Sequence, residues 1–246
     1  MNTSAPLTIV TGASRGLGLA LAQQLLASGH RVLALARRPD ATLAAKAGDR
    51  LEQWAVDLAD PLPVAQRLRE WLAAQPPGPA VLINNAGVVP APAPLADSDL
   101  AELSNALRVG VEAPLLLSAA FLRATAGWPA PRKILNISSG LGRRAMAGSV
   151  AYCAAKAGMD HFSRALALEL EGSGAAVVSL APGVIDTDMQ IGLRGADPAH
   201  FKDQPRFAAL KTDGLLASPE AAAAKVLRIL QRPDFGADPI ADVRDA

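Results

Sequence analysis

The sequence predicts an α/β protein in which a parallel sheet is covered by helices on both faces. Short apolar, β-branched runs alternate with longer segments of helical periodicity along the chain. Those runs are apolar at successive positions rather than at every second one, the mark of strands buried on both sides. A glycine-rich turn, Thr11-Gly12-Ala13-Ser14-Arg15-Gly16-Leu17-Gly18, sits where the first strand gives way to the first helix.

The elements follow in order. Leu7 to Val10 is a strand, residues 17–27 carry apolar side chains at helical spacing up to Ser28-Gly29, and Arg31 to Ala36 is the second strand. Residues 7–36 therefore form a β-α-β unit of the usual length of about 30 residues. Glycines there let the backbone approach a pyrophosphate, and the helix start offers unpaired N–H groups and a positive dipole end. Leu51 to Val56 is a strand, then Asp60 caps a helix from Pro61 to Ala74. Ala80 to Ile83 runs into Asn84-Asn85-Ala86-Gly87, and a proline-rich loop, Val88 to Pro94, leads to one long helix from Asp99 to Ala126. The strand Lys133 to Ile137 ends in Ser138-Ser139, and Ser149 to Glu171 is a helix. Ala175 to Leu180 is another strand, residues 182–216 read as irregular, and Ser218-Pro219-Glu220 opens a last helix ending near Gln231.

Composition narrows the function. With 246 residues, 50% of them hydrophobic, the chain can bury a full core as a single domain, 1–246. A net charge of +1 suggests no polyanion partner, and the doublets Arg37-Arg38 and Arg143-Arg144 are too short for a nucleic-acid patch. No unbroken apolar run approaches the ~20 residues of a membrane span. The start, MNTSAPLTIVTG, has no signal pattern, and one cysteine, Cys153, fits a reducing, cytoplasmic compartment. Cys153 reads as packing rather than as a nucleophile. His30, His161 and His200 have no metal-ligand spacing, so no metal is expected.

The chemistry centres on Tyr152 and Lys156, four residues apart and so on one helix face. A cation beside a phenol favours the phenolate and lowers its pKa. Ser139, at a strand end, offers a hydroxyl that can help hold a carbonyl oxygen.

With the glycine turn, Asn-Asn-Ala-Gly, Ser139 and Tyr-x-x-x-Lys in this order, the chain resembles the short-chain dehydrogenases/reductases over essentially its whole length. The resemblance implies a doubly wound Rossmann fold with a seven-stranded parallel sheet. It implies that Ser139 polarises the carbonyl, that Tyr152 is the acid/base, and that Lys156 lowers the tyrosine pKa and holds the nicotinamide ribose. Gly12, Ser14, Arg15, Gly16, Leu17 and Gly18 match the family's cofactor loop. Asp57 and Leu58 match its adenine contacts, and Asn85, Ala86 and Gly87 its ribose edge. Pro182, Gly183, Val184, Ile185 and Thr187 match the segment cradling the nicotinamide.

An NAD-type enzyme places Asp or Glu at the end of the second strand. Here Ala36 stands there, followed by Arg37 and Arg38, with Arg15 able to approach the same point. The expected cofactor is NADP(H), bound through its 2′-phosphate, against the alternative of a solvated strand exit. The chain departs from the family at Gly110, where an asparagine is usual. Pro114 lacks the N–H that would bond the Gly110 carbonyl, so that carbonyl is expected to hold the water of a proton relay. Turnover of Gly110→Asn tests this, and the alternative is that Gly110 and Pro114 merely bend a helix.

Residues 141–148 and 186–216 are expected to wall the substrate pocket, the second as a lid, with Leu141, Met146 and Met189 joining Ser139 and Tyr152 as substrate contacts. Residues 181–220 resemble the sepiapterin reductase and benzil reductase branch, which reduces vicinal dicarbonyls and aromatic ketones with NADPH. In that branch an acid near the carboxyl end can anchor substrate, and Asp245 or Asp242 is the match, against a solvated terminal carboxylate. A homodimer through the two long helices is expected. The leading reading is an NADPH-dependent carbonyl reductase, and the alternative is a catalytically weakened NADP(H)-binding sensor.

Overall fold

Runs too apolar to face water on either side pair with one another. The computed structural model describes residues 5–129 and 131–245. The strands are β1 (Leu7–Thr11), β2 (Arg31–Ala36), β3 (Leu51–Ala55), β4 (Ala80–Asn84), β5 (Arg132–Ile137), β6 (Ala175–Ala181) and β7 (Ile240–Asp242). They form one parallel seven-stranded sheet in the order β3-β2-β1-β4-β5-β6-β7. The order reverses direction beside β1, which pairs with both β2 and β4, and a crevice opens there at the strands' carboxyl ends.

Helices cover both faces. On one, α1 (Gly16–Ala27) and α9 (Pro219–Gln231) pack against Val10, Ala34, Ile83 and Leu180. On the other, α3 (Pro61–Ala73), α5 (Ala113–Ala124) and α6 (Val150–Glu169) cover Ile9, Leu33, Leu82 and Ile134. Phe121 of α5 is fully buried there, and truncating such a side chain costs about 3–5 kcal/mol.

Two expectations about elements need correction. The helix expected from Asp99 to Ala126 is α4 (Leu100–Leu107), a π-helical turn (Arg108–Glu112) and α5. Proline at position 114 offers no N–H, and the widened turn absorbs that loss. The run Leu100–Ala124 is long and apolar enough by length and composition to span a membrane, but half of its most apolar window is buried in the protein, as befits a core helix. The stretch read as irregular holds α7 (Asp188–Arg194) and α8 (Gln204–Thr212). A further short helix, α2 (Ala41–Ala47), capped by the Asp40 carboxylate on the Leu43 N–H, lies between β2 and β3.

Candidate active site

The site begins with what fixes α6. Its buried stripe includes Ala151, Ala155, Lys156, Met159, Asp160 and Ser163. Three of these bond the end of β5 in successive rungs. The Lys156 ammonium donates to the Ile137 carbonyl at 2.6 Å, Ser138 donates to the Asp160 carboxylate at 2.5 Å, and Asn136 donates to the Ser163 hydroxyl at 2.9 Å. Positions i, i+4 and i+7 of a helix share one face, so the ladder sets the rotation of α6 against the strand that ends in Ser139.

Asp160 is 1% exposed and also accepts from Ser179 of β6 at 2.7 Å and from Arg143 at 3.2 Å. A buried carboxylate needs such partners. Arg143 continues to the Ala241 carbonyl at 2.9 Å, which ties α6 to β7. The signal in the sequence was an acid four residues beyond the lysine, and it went unread.

Ser139 leaves β5 in extended backbone and caps a short turn, Gly140–Gly142, by accepting from the Leu141 N–H at 3.2 Å. Its hydroxyl faces Tyr152 and pulls the phenol pKa down, but desolvation is the larger effect and pushes it up to about 12. The Lys156 ammonium lies 5.7 Å from the Tyr152 ring centre, and burial lowers its pKa to about 8, with Asp160 pulling the other way. Desolvation of the phenolate opposes the lowering expected from the lysine. A phenol in that state is a proton donor at neutral pH.

The residues singled out from the sequence for cofactor or substrate line one cleft of about 1390 Å³, except Asp245, and Gly110 does not line it either. A Cβ on Gly110 would lie 2.8 Å from the Ala155 Cβ, so this glycine lets the π-turn pack against α6. That favours the packing alternative for Gly110 over a place among the reacting groups.

The glycine turn has an internal reason as well. A Cβ on Gly18 would sit 2.2 Å from the Gly12 carbonyl oxygen and 2.5 Å from the Asn85 amide. Asn85 spends that amide on the Thr11 carbonyl at 2.9 Å, while the Thr11 hydroxyl accepts from the N–H groups of Asn85 and Ala86 at 2.9 Å each. Thr11 thus ties the glycine turn to β4, a role the sequence reading missed. The α1 start has no side-chain cap and no acid in its first turn, so its N–H groups and dipole are open to an anion. Those features fit a dinucleotide pyrophosphate.

Arg37 and Arg38 leave β2 exposed on the cleft. Arg15 instead pairs with Asp188 at the start of α7. Both partners are mostly exposed, so the pair is worth about 0.2–1 kcal/mol, and Arg15 remains available to a stronger anion. Asp242 corrects another expectation. It is 6% exposed in β7 and lines the cleft, with its carboxylate held by Arg244 at 2.8 and 2.6 Å, which keeps its pKa below the usual range. Asp245, by contrast, is exposed. Cys153 is only half-buried, and His161 is exposed.

A glycine turn and a Ser–Tyr–Lys cluster at the carboxyl ends of a doubly wound parallel sheet define a nucleotide-dependent oxidoreductase. The family model described as short chain dehydrogenase matches residues 6–197, and the chain belongs to that family, whose members use a nicotinamide cofactor. It is 35% identical over 231 residues to benzil reductase ((S)-benzoin forming) of Bacillus subtilis (strain 168), covering 92% of this chain and 93% of that one. It is 35% identical over 248 residues to sepiapterin reductase of Meriones unguiculatus, covering 92% of each. A crystal structure of a short-chain dehydrogenase/reductase from Burkholderia vietnamiensis, 38% identical, superposes with a TM-score of 0.68 over 98% of this chain and 97% of that one.

Proposed function

We propose that this protein is an NADPH-dependent carbonyl reductase that acts on ketones and α-diketones of the benzil or sepiapterin kind. The observation that carries the reading is the convergence of Ser139, Tyr152 and Lys156 in the cleft that the glycine turn opens. When bound, the reduced nicotinamide supplies a hydride to the carbonyl carbon. Ser139 holds the carbonyl oxygen, and Tyr152, protonated at neutral pH with a pKa near 12, gives it a proton. The forming alkoxide is a far stronger base than a phenolate, so the transfer runs downhill toward alcohol. Lys156 positions the ribose and keeps a positive charge behind the tyrosine.

Gly12, Ser14, Gly16, Leu17 and Gly18 would hold the pyrophosphate, with Asp57, Leu58, Asn85, Ala86 and Gly87 along the adenosine and ribose. Arg37 and Arg38, with no acid at Ala36, favour NADP(H), because a guanidinium fork suits a 2′-phosphate. Pro182, Gly183, Val184, Ile185 and Thr187 would bracket the nicotinamide. Leu141, Met146 and Met189 give the substrate an apolar wall. We take residues 1–246 as one domain in which residues 186–216 close over the cleft.

Exposed leucines on the two long helical runs, Leu107, Leu115 and Leu168, suit a homodimer. A reducing, cytoplasmic setting suits the single Cys153, and nothing in the charge pattern calls for nucleic acid or membrane. Packing against Ala155 gives Gly110 a reason that does not need the sensor alternative. Oxidation of NADPH and of NADH with benzil, sepiapterin and simple aromatic ketones tests the proposal. Turnover with NADPH preferred supports it, and tight NADPH binding without turnover on any of them favours the sensor.

A further inference from the structure

We propose that Arg144 fits this site to 2-oxo acids, in which the reacting carbonyl carbon is bonded directly to a carboxylate on one side and to an apolar aryl or alkyl group on the other. The proposal rests on the carbonyl-reductase reading and names its substrate class.

The chain after Ser139 turns back on itself, and the Arg144 N–H donates to the Gly140 carbonyl at 3.2 Å. The turn lays the guanidinium over Gly140. A Cβ there would stand 3.8 Å from Nε and 4.0 Å from Nη2 of Arg144. Because position 140 has no side chain, the guanidinium borders the cleft one residue from the serine that faces Tyr152.

Its charge is not spent elsewhere. Of the acids that line the cleft, Asp242 pairs with Arg244, Asp186 with Lys211 and Arg194, and Asp188 with Arg15, while Asp203 has no ion pair. Among the described residues no carboxylate pairs with Arg144. A planar fork of N–H donors accepts a carboxylate through two parallel bonds. Leu141, Met146, Met189 and Phe207 line the same cleft, which suits an aryl or alkyl substituent.

A vicinal diketone also presents an oxygen next to the reacting carbonyl, but a carboxylate puts a full charge there. Charge-assisted bonds are about twice as strong as neutral ones. The reaction balances as before. The keto carbon gains a hydride from NADPH, its oxygen gains the Tyr152 proton, and a 2-hydroxy acid and NADP⁺ result, with the phenol reprotonated from solvent.

The test compares phenylglyoxylate with its methyl ester, which has the same reacting ketone and no charge. kcat/KM is measured for both with NADPH, on wild type, Arg144→Gln and Arg144→Lys, alongside benzil. The expected result is an acid-to-ester ratio lowered by about 10–100-fold in Arg144→Gln and by less in Arg144→Lys, which keeps charge without the fork. In parallel, calorimetric titration of the NADP-loaded protein with mandelate should weaken by a similar factor in Arg144→Gln. A ratio that does not change, or a wild type that reduces the ester but not the acid, overturns the proposal and leaves the reductase reading standing. Failure of wild type to oxidise NADPH with benzil, ester or acid overturns both.

Discussion

The Lys156 ammonium donates to the main-chain carbonyl of Ile137 at 2.6 Å, two residues before Ser139. Helix α6 and strand β5 are therefore locked together at the point where each delivers its reactive side chain. A buried cation bonded to an uncharged carbonyl is only partly compensated, which is why burial lowers the lysine pKa to about 8.

That value sets a pH dependence. The ammonium persists below about 8 and is lost as pH rises through it. Carbonyl reduction, which also needs the Tyr152 proton, should be level in mildly acidic to neutral solution and fall above that point. The kcat-pH profile with saturating NADPH and benzil checks this, and activity rising steadily from pH 8 to 10 would contradict it.

Asp160 acts on the same lysine. Its negative charge raises the Lys156 pKa, so removing it favours the neutral amine and moves the alkaline fall to lower pH. Asp160→Asn should shift that limb down by about one pH unit. It should also cost about 1–3 kcal/mol of stability, because the buried Ser138 and Ser179 hydroxyls lose their carboxylate acceptor. Profiles and urea unfolding separate the two effects. An unshifted profile in a folded variant would leave Asp160 with packing alone.

Gly110→Ala introduces a methyl 2.8 Å from the Ala155 Cβ. Overpacking of this kind costs about 1–3 kcal/mol, and Ala155→Gly in the same chain should restore most of it. Equilibrium denaturation of the single and double variants measures the coupling. Gly110→Asn carries the same clash, so a fall in its turnover reports displacement of α6 before it reports on any relay.

Cofactor choice rests on the exit of β2. Replacing Arg37 and Arg38 together with Ser should lower kcat/KM for NADPH by about 10–100-fold and change that for NADH far less. Ala36→Asp added to the pair should reverse the preference, since a carboxylate bonds a 2′-hydroxyl and repels a 2′-phosphate.

Strands β1 to β6 were legible in the sequence to within a residue, β1, β2, β4, β5 and β6 because their apolar runs are mostly buried, whereas β7 was not read. Ser139, Tyr152 and Lys156 were legible because their spacing puts them at a strand end and on one helix face. What the sequence hid depends on contacts between distant segments. The role of Asp160 requires knowing that residues 138, 143 and 179 converge on it, and the burial of Asp242 requires the last strand to join β6. The short helices α7 and α8 carry no long apolar stripe, so periodicity missed them. A count of charges near the tyrosine omits desolvation, which pushes its pKa the other way.

The most direct measurement is NADPH oxidation with benzil by wild type and by Tyr152→Phe, with NADPH affinity of each measured by fluorescence titration. The expected result is steady turnover by wild type and a loss of about 10²–10⁴-fold in the variant with NADPH affinity nearly unchanged. A Tyr152→Phe enzyme that reduces benzil at the wild-type rate would contradict the assignment of Tyr152 as proton donor.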